Sequence, residues 1–166
     1  MKLIECVDRG NIYRSPVAEK VIAKELQARG LSDTYSAISR GVQGTTVDPE
    51  PVKFPNITYY EEKYQDSKPT LERFGIDLSS HISTPVDEEA VERASIIFAM
   101  DKKTKDALQT LFPDQVDKIH IFTELINEDR DIMDPEGVSG KETQERIITE
   151  IVEIISQGFP KLLSMV

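Results

Sequence analysis

Short apolar segments alternate with segments of helical spacing along the chain, and this alternation constrains the fold more than any other feature of the sequence. The segments predicted as strands are residues 2–7, 34–39, 95–100 and 118–122. Because a helical pattern separates consecutive strands, we expect parallel strands joined by right-handed crossovers. The sequence therefore predicts a three-layer α/β fold, in which a doubly wound, four-stranded parallel sheet carries helices on both faces.

Three helices have recognisable capping residues. Thr84 is predicted to cap a helix over residues 84–94, and Asp101 directly follows the third strand, where it can cap the next helix. Ser139 and Glu142 have the spacing of a capping box at the start of a long final helix. The caps thus place one helix before the third strand, one after it and one near the end of the chain.

The composition fits an acidic folded protein. Among 166 residues, 30 Asp and Glu outnumber 20 Lys and Arg, and the net charge of −10 argues against binding to nucleic acid. No apolar run approaches the length of about 18 residues that a membrane span needs, and Glu5 and Asp8 interrupt the pattern of a signal peptide. The single cysteine, Cys6, excludes an intrachain disulfide. We expect a single cytoplasmic domain over residues 1–166 without membrane contact.

The loop after the first strand has the composition of an anion-binding site. Ligands of open α/β sheets bind beyond the carboxyl ends of the strands, which is where residues 8–15 lie. Gly10 and Asn11 tolerate the positive φ values that turn successive N–H groups toward one point, and the following helix adds the positive end of its dipole. Arg14 can place several donors on a phosphate. On these features alone, a tight turn with a surface arginine remains an alternative.

The same loop resembles a family signature. GNIYRSPVAE at residues 10–19 is similar to the signature of low-molecular-weight protein-tyrosine phosphatases, a family that shares its fold with arsenate reductases. Further segments resemble this family in the same order along the chain, namely Ser36-Ala37, GIDLSSH at residues 75–81, Met100-Asp101 and Asp134-Pro135. The resemblance implies a two-step hydrolysis of phosphomonoesters, in which a cysteine thiolate attacks phosphorus, an arginine binds the phosphoryl oxygens and an aspartic acid protonates the leaving group.

The resemblance also implies a role for each residue of the site. Arg14 would bind the phosphoryl oxygens and Asp134 would be the general acid, with no cofactor. Asn11 would hold the strained loop with a hydrogen bond from His81, and Ser36 would brace it. The predicted phosphate-binding residues are Arg9, Gly10, Asn11, Ile12, Tyr13, Arg14 and Ser15, and the predicted supporting residues are Ser36, His81 and Asp101.

The nucleophile position of the family is not occupied by cysteine in this sequence. The family pattern is a cysteine, five residues and an arginine, so counting back from Arg14 leads to Asp8. Cys6 lies two residues earlier in the predicted strand, which places it about 6 to 7 Å too deep, whereas attack needs the atoms about 3 to 3.5 Å apart. We therefore predict Asp8, Arg14 and Asp134 at the catalytic positions and Cys6 as a buried apolar side chain.

A carboxylate at position 8 changes what the loop can do. The N–H groups of the loop and Arg14 are expected to stabilise Asp8 strongly as an anion, so that Asp8 itself fills the site. A phosphate at about 4 Å would then be repelled by about 4 kcal/mol at an effective dielectric constant of about 20. This repulsion lowers phosphate affinity by about a thousandfold, unless Arg14 and Arg9 offset it.

Three functions remain open. The first is a pseudophosphatase that binds phosphate, a phosphotyrosine-type ligand or a phosphoprotein, with weak or no hydrolysis. The second is an active phosphomonoesterase with Asp8 as nucleophile or base, Arg14 as phosphate clamp and Asp134 as acid. The third is a purely structural interaction protein.

An aspartyl-phosphate mechanism usually involves a divalent metal, for which Asp8, Asp101 and Asp134 would have to converge. Because Asp101 is expected to cap a helix, we predict no metal.

Two replacements bear on the substrate. Glu136 and Gly137 stand where many family members have paired tyrosines, so a wall that usually holds a phenyl ring is missing or rebuilt. Tyr13 stands where many members have a second cysteine. Since arsenate reduction depends on several thiols, the sequence excludes that activity.

Residues 45–69 form a segment longer than is usual in the family, and it carries Tyr59, Tyr60 and Tyr64. We predict short helices at residues 56–64 and 69–74. The segment is either a lid or specificity element over the loop, or an amphipathic helix that packs on the surface.

Overall fold

A four-stranded parallel sheet forms the centre of the computed structural model, which describes all 166 residues. Its strands are β1 (Lys2–Asp8), β2 (Tyr35–Gly41), β3 (Ala94–Ala99) and β4 (Ile119–Ile121), arranged in the order β2-β1-β3-β4. Every neighbouring pair is parallel. The predicted α/β fold is therefore confirmed, with β1 in the interior of the sheet.

Helices cover both faces of the sheet and divide the core in two. The larger cluster of 25 buried residues joins the sheet to α1, α2 and α5, and the smaller cluster of 9 joins it to α3 and α4. The helices are α1 (Arg14–Ala28), α2 (Glu61–Arg73), α3 (Glu88–Arg93), α4 (Lys102–Leu111) and α5 (Lys141–Met165), and short 3-10 helices lie at Ile57–Tyr59, Pro113–Lys118 and Phe122–Ile126. None of the helices combines the length and apolar character that crossing a membrane requires.

The predicted start of the third helix is wrong. Helix α3 begins four residues after Thr84, and Asp87 caps it by accepting a hydrogen bond from the N–H of Ala90 at 2.8 Å. Thr84 instead donates its own N–H to the side chain of Asn11, and Val86 donates to the carbonyl of Gly41. These contacts hold the chain extended against β2, so a helix cannot begin before residue 87.

Two other helix boundaries differ from the predictions. The helices predicted at residues 56–64 and 69–74 are a 3-10 turn followed by the single helix α2, which continues through Pro69. Pro69 and Gln65 lie on the exposed side of α2, where the carbonyl that loses its N–H partner can face water. The predicted capping box at Ser139 is also wrong, because α5 starts at Lys141 after Gly140, and no side chain caps it.

A buried acidic residue lies in the middle of β1. Glu5 is fully buried between Ile38 of β2 and Ile97 of β3, and neither of its carboxyl oxygens has a hydrogen-bond partner. Burial raises the pKa of Glu5 to about 7, although Arg40 and Lys118 act in the opposite direction. The folded protein therefore favours the neutral carboxylic acid at this position.

The substitution Glu5→Gln tests this burial. Because the folded-state pKa of Glu5 lies above its ordinary value, the folded state binds the proton more tightly, and stability falls as the pH rises through the range from about 4.5 to about 7. At pH 8 we expect Glu5→Gln to increase the free energy of unfolding by up to about 3 kcal/mol, and at pH 4.5 we expect no such gain. Urea unfolding at both pH values measures the difference. Glu153→Gln, at an exposed position of α5, is the matched control; an equal effect of Glu5→Gln at the two pH values would contradict the expectation.

Candidate functional site

Asp8 ends the interior strand β1 and lies at the floor of the loop that leads into α1. Its side chain is only 3% exposed. One carboxyl oxygen, Oδ1, accepts the N–H of Asn11 at 2.6 Å, and the other, Oδ2, accepts the N–H of Ser15 at 3.0 Å. The loop therefore curls around the Asp8 carboxyl group at the carboxyl edge of the sheet, where ligands of such folds bind.

Asn11 fixes the shape of this loop. Its backbone has a left-handed conformation with φ of 55°, which asparagine tolerates better than most residues. Its amide nitrogen Nδ2 donates to the hydroxyls of Ser15 (3.1 Å) and Ser39 (2.9 Å). Its amide oxygen accepts the N–H of Thr84 at 2.9 Å, and the predicted hydrogen bond from His81 is present, with Nε2 2.8 Å from the Asn11 carbonyl oxygen.

The serine that braces the loop is Ser39, so the expectation for Ser36 is wrong. Ser36 pairs with Leu3 near the start of β2, whereas Ser39 pairs with Cys6 near its end. The three residues between the two serines correspond to about 10 Å along the strand, which puts Ser36 out of reach of Asn11. Ser39 also donates to the carboxylate of Glu19 at 2.6 Å.

Gly41 lets β2 approach the loop closely, and sequence reasoning missed it. A Cβ atom at this position would lie 2.8 Å from the carbonyl oxygen of Arg9 and 3.0 Å from the nitrogen of Asn11. The next two residues continue the contact, since Val42 donates its N–H to the Asp8 carbonyl and Gln43 donates to the Arg9 carbonyl. The only sequence signal was the position of Gly41 just beyond the predicted strand over residues 34–39.

Most N–H groups of the loop remain available. Asp8 accepts only those of Asn11 and Ser15. The other loop N–H groups, which donate to no acceptor of the protein, belong to Arg9, Gly10, Ile12, Tyr13 and Arg14. Backbone N–H groups at the start of a helix are suited to binding an anion such as phosphate.

Tyr13 contributes to the loop through its backbone. Its side chain is buried and points toward α2 and α5, where the hydroxyl donates to the Gln144 carbonyl at 3.4 Å and lies 3.2 Å from the Ser67 hydroxyl. Burial raises the pKa of this phenol. The Tyr13 hydroxyl is therefore not a catalytic group of the loop.

Arg14 is held by two carboxylates that come from separate parts of the chain. Its guanidinium, 2% exposed, donates through Nη1 to Asp101 at 2.6 Å and through Nη2 to Asp134 at 3.2 Å. Nη1 also donates to the Ile132 carbonyl at 2.7 Å. Asp101 caps α4 as predicted, because its Oδ1 accepts the N–H of Thr104 at 2.7 Å.

Burial and the Arg14 guanidinium shift the pKa values of Asp8 and Asp101 in opposite directions. Burial raises the pKa of Asp8, and Arg14 together with the N–H groups of Ser15 and Asn11 does not cancel this effect. Arg14 and these N–H groups do stabilise the Asp8 anion, as expected, but burial outweighs them and the net shift of the pKa is upward. Although Asp101 is partly buried, Arg14 and the N–H of Thr104 hold its pKa below the ordinary value.

Arg9 connects two loops at the mouth of the site. Its Nε donates to Asp48 at 2.9 Å, its Nη1 donates to Glu136 at 3.0 Å, and its Nη2 lies 3.7 Å from Glu50. Asp48 and Glu50 belong to the loop after β2, and Glu136 follows Asp134 closely in sequence. Arg9 thus holds opposite sides of the opening together with its charge already paired.

A cavity of about 290 Å³ opens above Asp8 and Arg14. The segment of residues 45–69 supplies part of its wall through Lys53 and Tyr60, and Lys63 of α2 adds a further cation. The Lys53 ammonium lies 5.1 Å from the centre of the Phe54 ring. The segment therefore forms part of the cavity and also packs on the molecule through α2.

Neither a thiol nor a metal site is found at the cavity. Cys6 is fully buried in the larger core cluster, and burial raises the pKa of its thiol well above the ordinary value. No group of three or more His, Cys, Asp or Glu side chains is placed to hold a metal ion. Asp101 and Asp134 converge on Arg14, while Asp8 binds N–H groups of the loop.

Known proteins match the chain in sequence and in fold. The family model "Low molecular weight phosphotyrosine protein phosphatase" matches residues 4–166. A probable low-molecular-weight protein-tyrosine-phosphatase, EpsP of Ralstonia nicotianae, is 27% identical over an alignment of 159 residues that covers 94% of this chain and 88% of that protein.

Solved structures agree with the sequence match. The crystal structure of a low-molecular-weight protein tyrosine phosphatase from T. tengcongensis is 26% identical, with a TM-score of 0.80 over 97% of this chain and 99% of that chain. The fold is also similar to that of the arginine phosphatase YwlE from Geobacillus stearothermophilus, at 24% identity and a TM-score of 0.73 over 99% and 94% of the two chains. Because the family model spans nearly the whole sequence, the chain belongs to the low-molecular-weight phosphotyrosine protein phosphatase family.

Proposed function

We propose that this protein is a pseudophosphatase that binds phosphate, or a phosphotyrosine-type group of a phosphoprotein, in the loop of residues 8–15 with weak or no hydrolysis. Asp8 then stands where the family carries its nucleophilic cysteine. One observation carries the proposal: a carboxyl group bonded to the N–H groups of Asn11 and Ser15 lies on the loop floor. The single thiol is enclosed in the core.

The geometry of Asp8 speaks against efficient catalysis. Each carboxyl oxygen already accepts a hydrogen bond from the loop, at 2.6 and 3.0 Å, which holds the carboxyl group in place and lowers its nucleophilicity. Enzymes that form an aspartyl-phosphate usually neutralise the gathered negative charge with a divalent metal, and no cluster of metal-ligating side chains is available here. Arg14, the remaining cation at the floor, is shared between Asp101 and Asp134.

Binding of a phosphoryl group is supported by the parts of the loop that Asp8 does not use. The N–H groups of five loop residues lack a protein acceptor, and the loop leads directly into α1. Asn11, Ser39 and His81 hold the backbone in place before any ligand arrives. A pre-ordered set of donors loses little conformational entropy on binding.

The segment of residues 45–69 is the specificity element in this proposal. It contributes Lys53, Tyr60 and Lys63 to the cavity. The aromatic ring near the loop suits an aryl phosphate, while the two ammonium groups share the cavity wall with the carboxylates of Glu50 and Glu136. This segment takes over the wall that paired tyrosines would form elsewhere in the family.

Hydrolysis of p-nitrophenyl phosphate distinguishes a pseudophosphatase from an active phosphomonoesterase. We expect negligible turnover by the wild-type protein with or without magnesium, and a gain on the order of a hundredfold or more for Asp8→Cys, because a thiolate on the loop floor restores a nucleophile. Release of nitrophenolate measures the rate. Adding Cys6→Ala to Asp8→Cys is the control, and it should leave the gained activity in place. Rapid wild-type turnover that Asp8→Ala abolishes would instead establish an active phosphomonoesterase with Asp8 as nucleophile or base and Asp134 as acid.

The two serines of β2 test whether loop order supports binding. Ser39→Ala removes one acceptor of the buried Asn11 amide. An unsatisfied buried donor costs about 1 to 3 kcal/mol, so the ordered loop conformation becomes less stable by about this amount. We therefore expect phosphate to bind about tenfold more weakly to Ser39→Ala. Titration calorimetry with inorganic phosphate measures the dissociation constant. Ser36→Ala, on the same strand but out of reach of Asn11, should bind phosphate like the wild type; equal effects of the two substitutions would count against the brace.

A further inference from the structure

Negative charge exceeds positive charge at the floor of the loop. Asp8, Asp101 and Asp134 surround the guanidinium of Arg14, which is bonded directly to the last two. When all three acids are ionised, a single cation faces three anions. A phosphate that binds the free loop N–H groups would add further negative charge next to these three acids.

Other charged side chains near the loop do not restore the balance at the floor. Arg9 is already shared among three carboxylates at the mouth. The remaining charged or titratable groups around Asp8 are Cys6 beneath it on β1, Glu19 of α1 behind Ser39, His81 on Asn11, and Lys53, Lys63, Glu50 and Glu136 around the cavity. The two lysines lie on the wall that the 45–69 segment and α2 form, and two carboxylates of the rim oppose them.

We propose that the loop binds its tetrahedral anion together with one proton, which the Asp8 carboxyl group takes up from solvent. This inference rests on the proposed function and adds its regulation by pH. No covalent bond forms or breaks other than the O–H bond on Asp8. The neutral carboxylic acid keeps an oxygen toward the loop N–H groups and can turn its own O–H toward the bound anion.

Asp8 is the acid of the group that is best placed to take up the proton. Asp134 is 41% exposed, so solvent screens its charge from the anion. Asp101 is stabilised as a carboxylate by Arg14 and by the N–H of Thr104. Asp8 is 3% exposed and lies on the floor of the cavity, and burial already raises its pKa in the free protein.

The direction of the effect follows from linkage. A bound anion next to Asp8 raises the pKa of its carboxyl group further, so the complex holds the proton at a higher pH than the free protein does. Anion affinity therefore increases as the pH falls between these two pKa values. Reciprocally, anion binding draws a proton from the solvent.

Titration calorimetry with sulfate tests the proposal on the full chain. Sulfate does not titrate in the range studied, so a pH dependence of its affinity comes from the protein. Between about pH 5 and pH 8 we expect a region in which the wild-type dissociation constant falls by up to about tenfold for each unit decrease in pH. In that region, titrations in two buffers with different ionisation enthalpies should show uptake of up to about one proton for each sulfate bound.

Variants at position 8 identify the group that takes up the proton. Asp8→Asn and Asp8→Ser both remove the charge, and the serine hydroxyl can still accept a loop N–H if the asparagine amide disturbs the loop. We expect at least one of them to bind sulfate at least about tenfold more tightly than the wild type at pH 8, with no pH dependence and no proton uptake. Asp134→Asn removes a carboxylate bonded to Arg14, so its sulfate affinity will change, but the affinity should still depend on pH because Asp8 is retained. Glu5→Gln, on the opposite face of the sheet, should keep the pH dependence as well.

The outcomes separate the inference from the proposed function. Sulfate binding to the wild type with a flat pH profile and no proton uptake overturns the inference and leaves the proposed function standing. A pH dependence that persists in both Asp8 variants, or that disappears in Asp134→Asn, also overturns it. If neither sulfate nor inorganic phosphate binds the wild type or the Asp8 variants at any pH, the inference and the proposed function both fail.

Discussion

The side-chain amide of Asn11 is the interaction on which the site depends. It connects three segments that are far apart in sequence, since it reaches Ser15 at the start of α1, Ser39 on β2 and Thr84 before α3. These bonds stabilise a left-handed backbone conformation that would otherwise be unfavourable. The loop backbone keeps its shape because this one residue is held from several sides.

The interior strand β1 carries two buried acids whose surroundings differ. Glu5 and Asp8 are an odd number of residues apart, so they face opposite sides of the sheet. Glu5 has no hydrogen-bond partner, whereas Asp8 has two N–H donors and a nearby guanidinium. Burial raises the pKa of both carboxyl groups, and for Asp8 the two N–H donors and Arg14 only partly offset this effect.

The sequence predicted the sheet, the position of the loop, the cap at Asp101 and the contact between His81 and Asn11, because each depends on local pattern or on a family motif. It did not separate Ser36 from Ser39, since that choice depends on the register between β1 and β2. Likewise, Thr84 is a good cap residue by type, but tertiary contacts with Asn11 keep its segment extended. The close approach that requires Gly41 also arises only when two strands lie side by side.

The segment of residues 45–69 shows why part of the site was harder to anticipate. Its sequence suggested two short helices or a lid, yet α2 is continuous and its first turn contributes to the cavity wall. Pro69 is tolerated inside α2 because it lies with Gln65 on the exposed side of the helix. The presence of a proline predicted a break between two helices, whereas the exposed position of Pro69 allows α2 to continue through it.

The ion pairs of Arg9 lie at the mouth of the site, between the loop after β2 and the loop that carries Glu136. Arg9 follows Asp8 directly in sequence. Its guanidinium forms ion pairs with Asp48, Glu50 and Glu136 at the surface. Exposed ion pairs weaken as salt concentration rises, while the hydrogen bonds around Asn11 are buried and respond little. Rising ionic strength therefore weakens the ion pairs at the mouth of the site more than it weakens the hydrogen bonds that shape the loop.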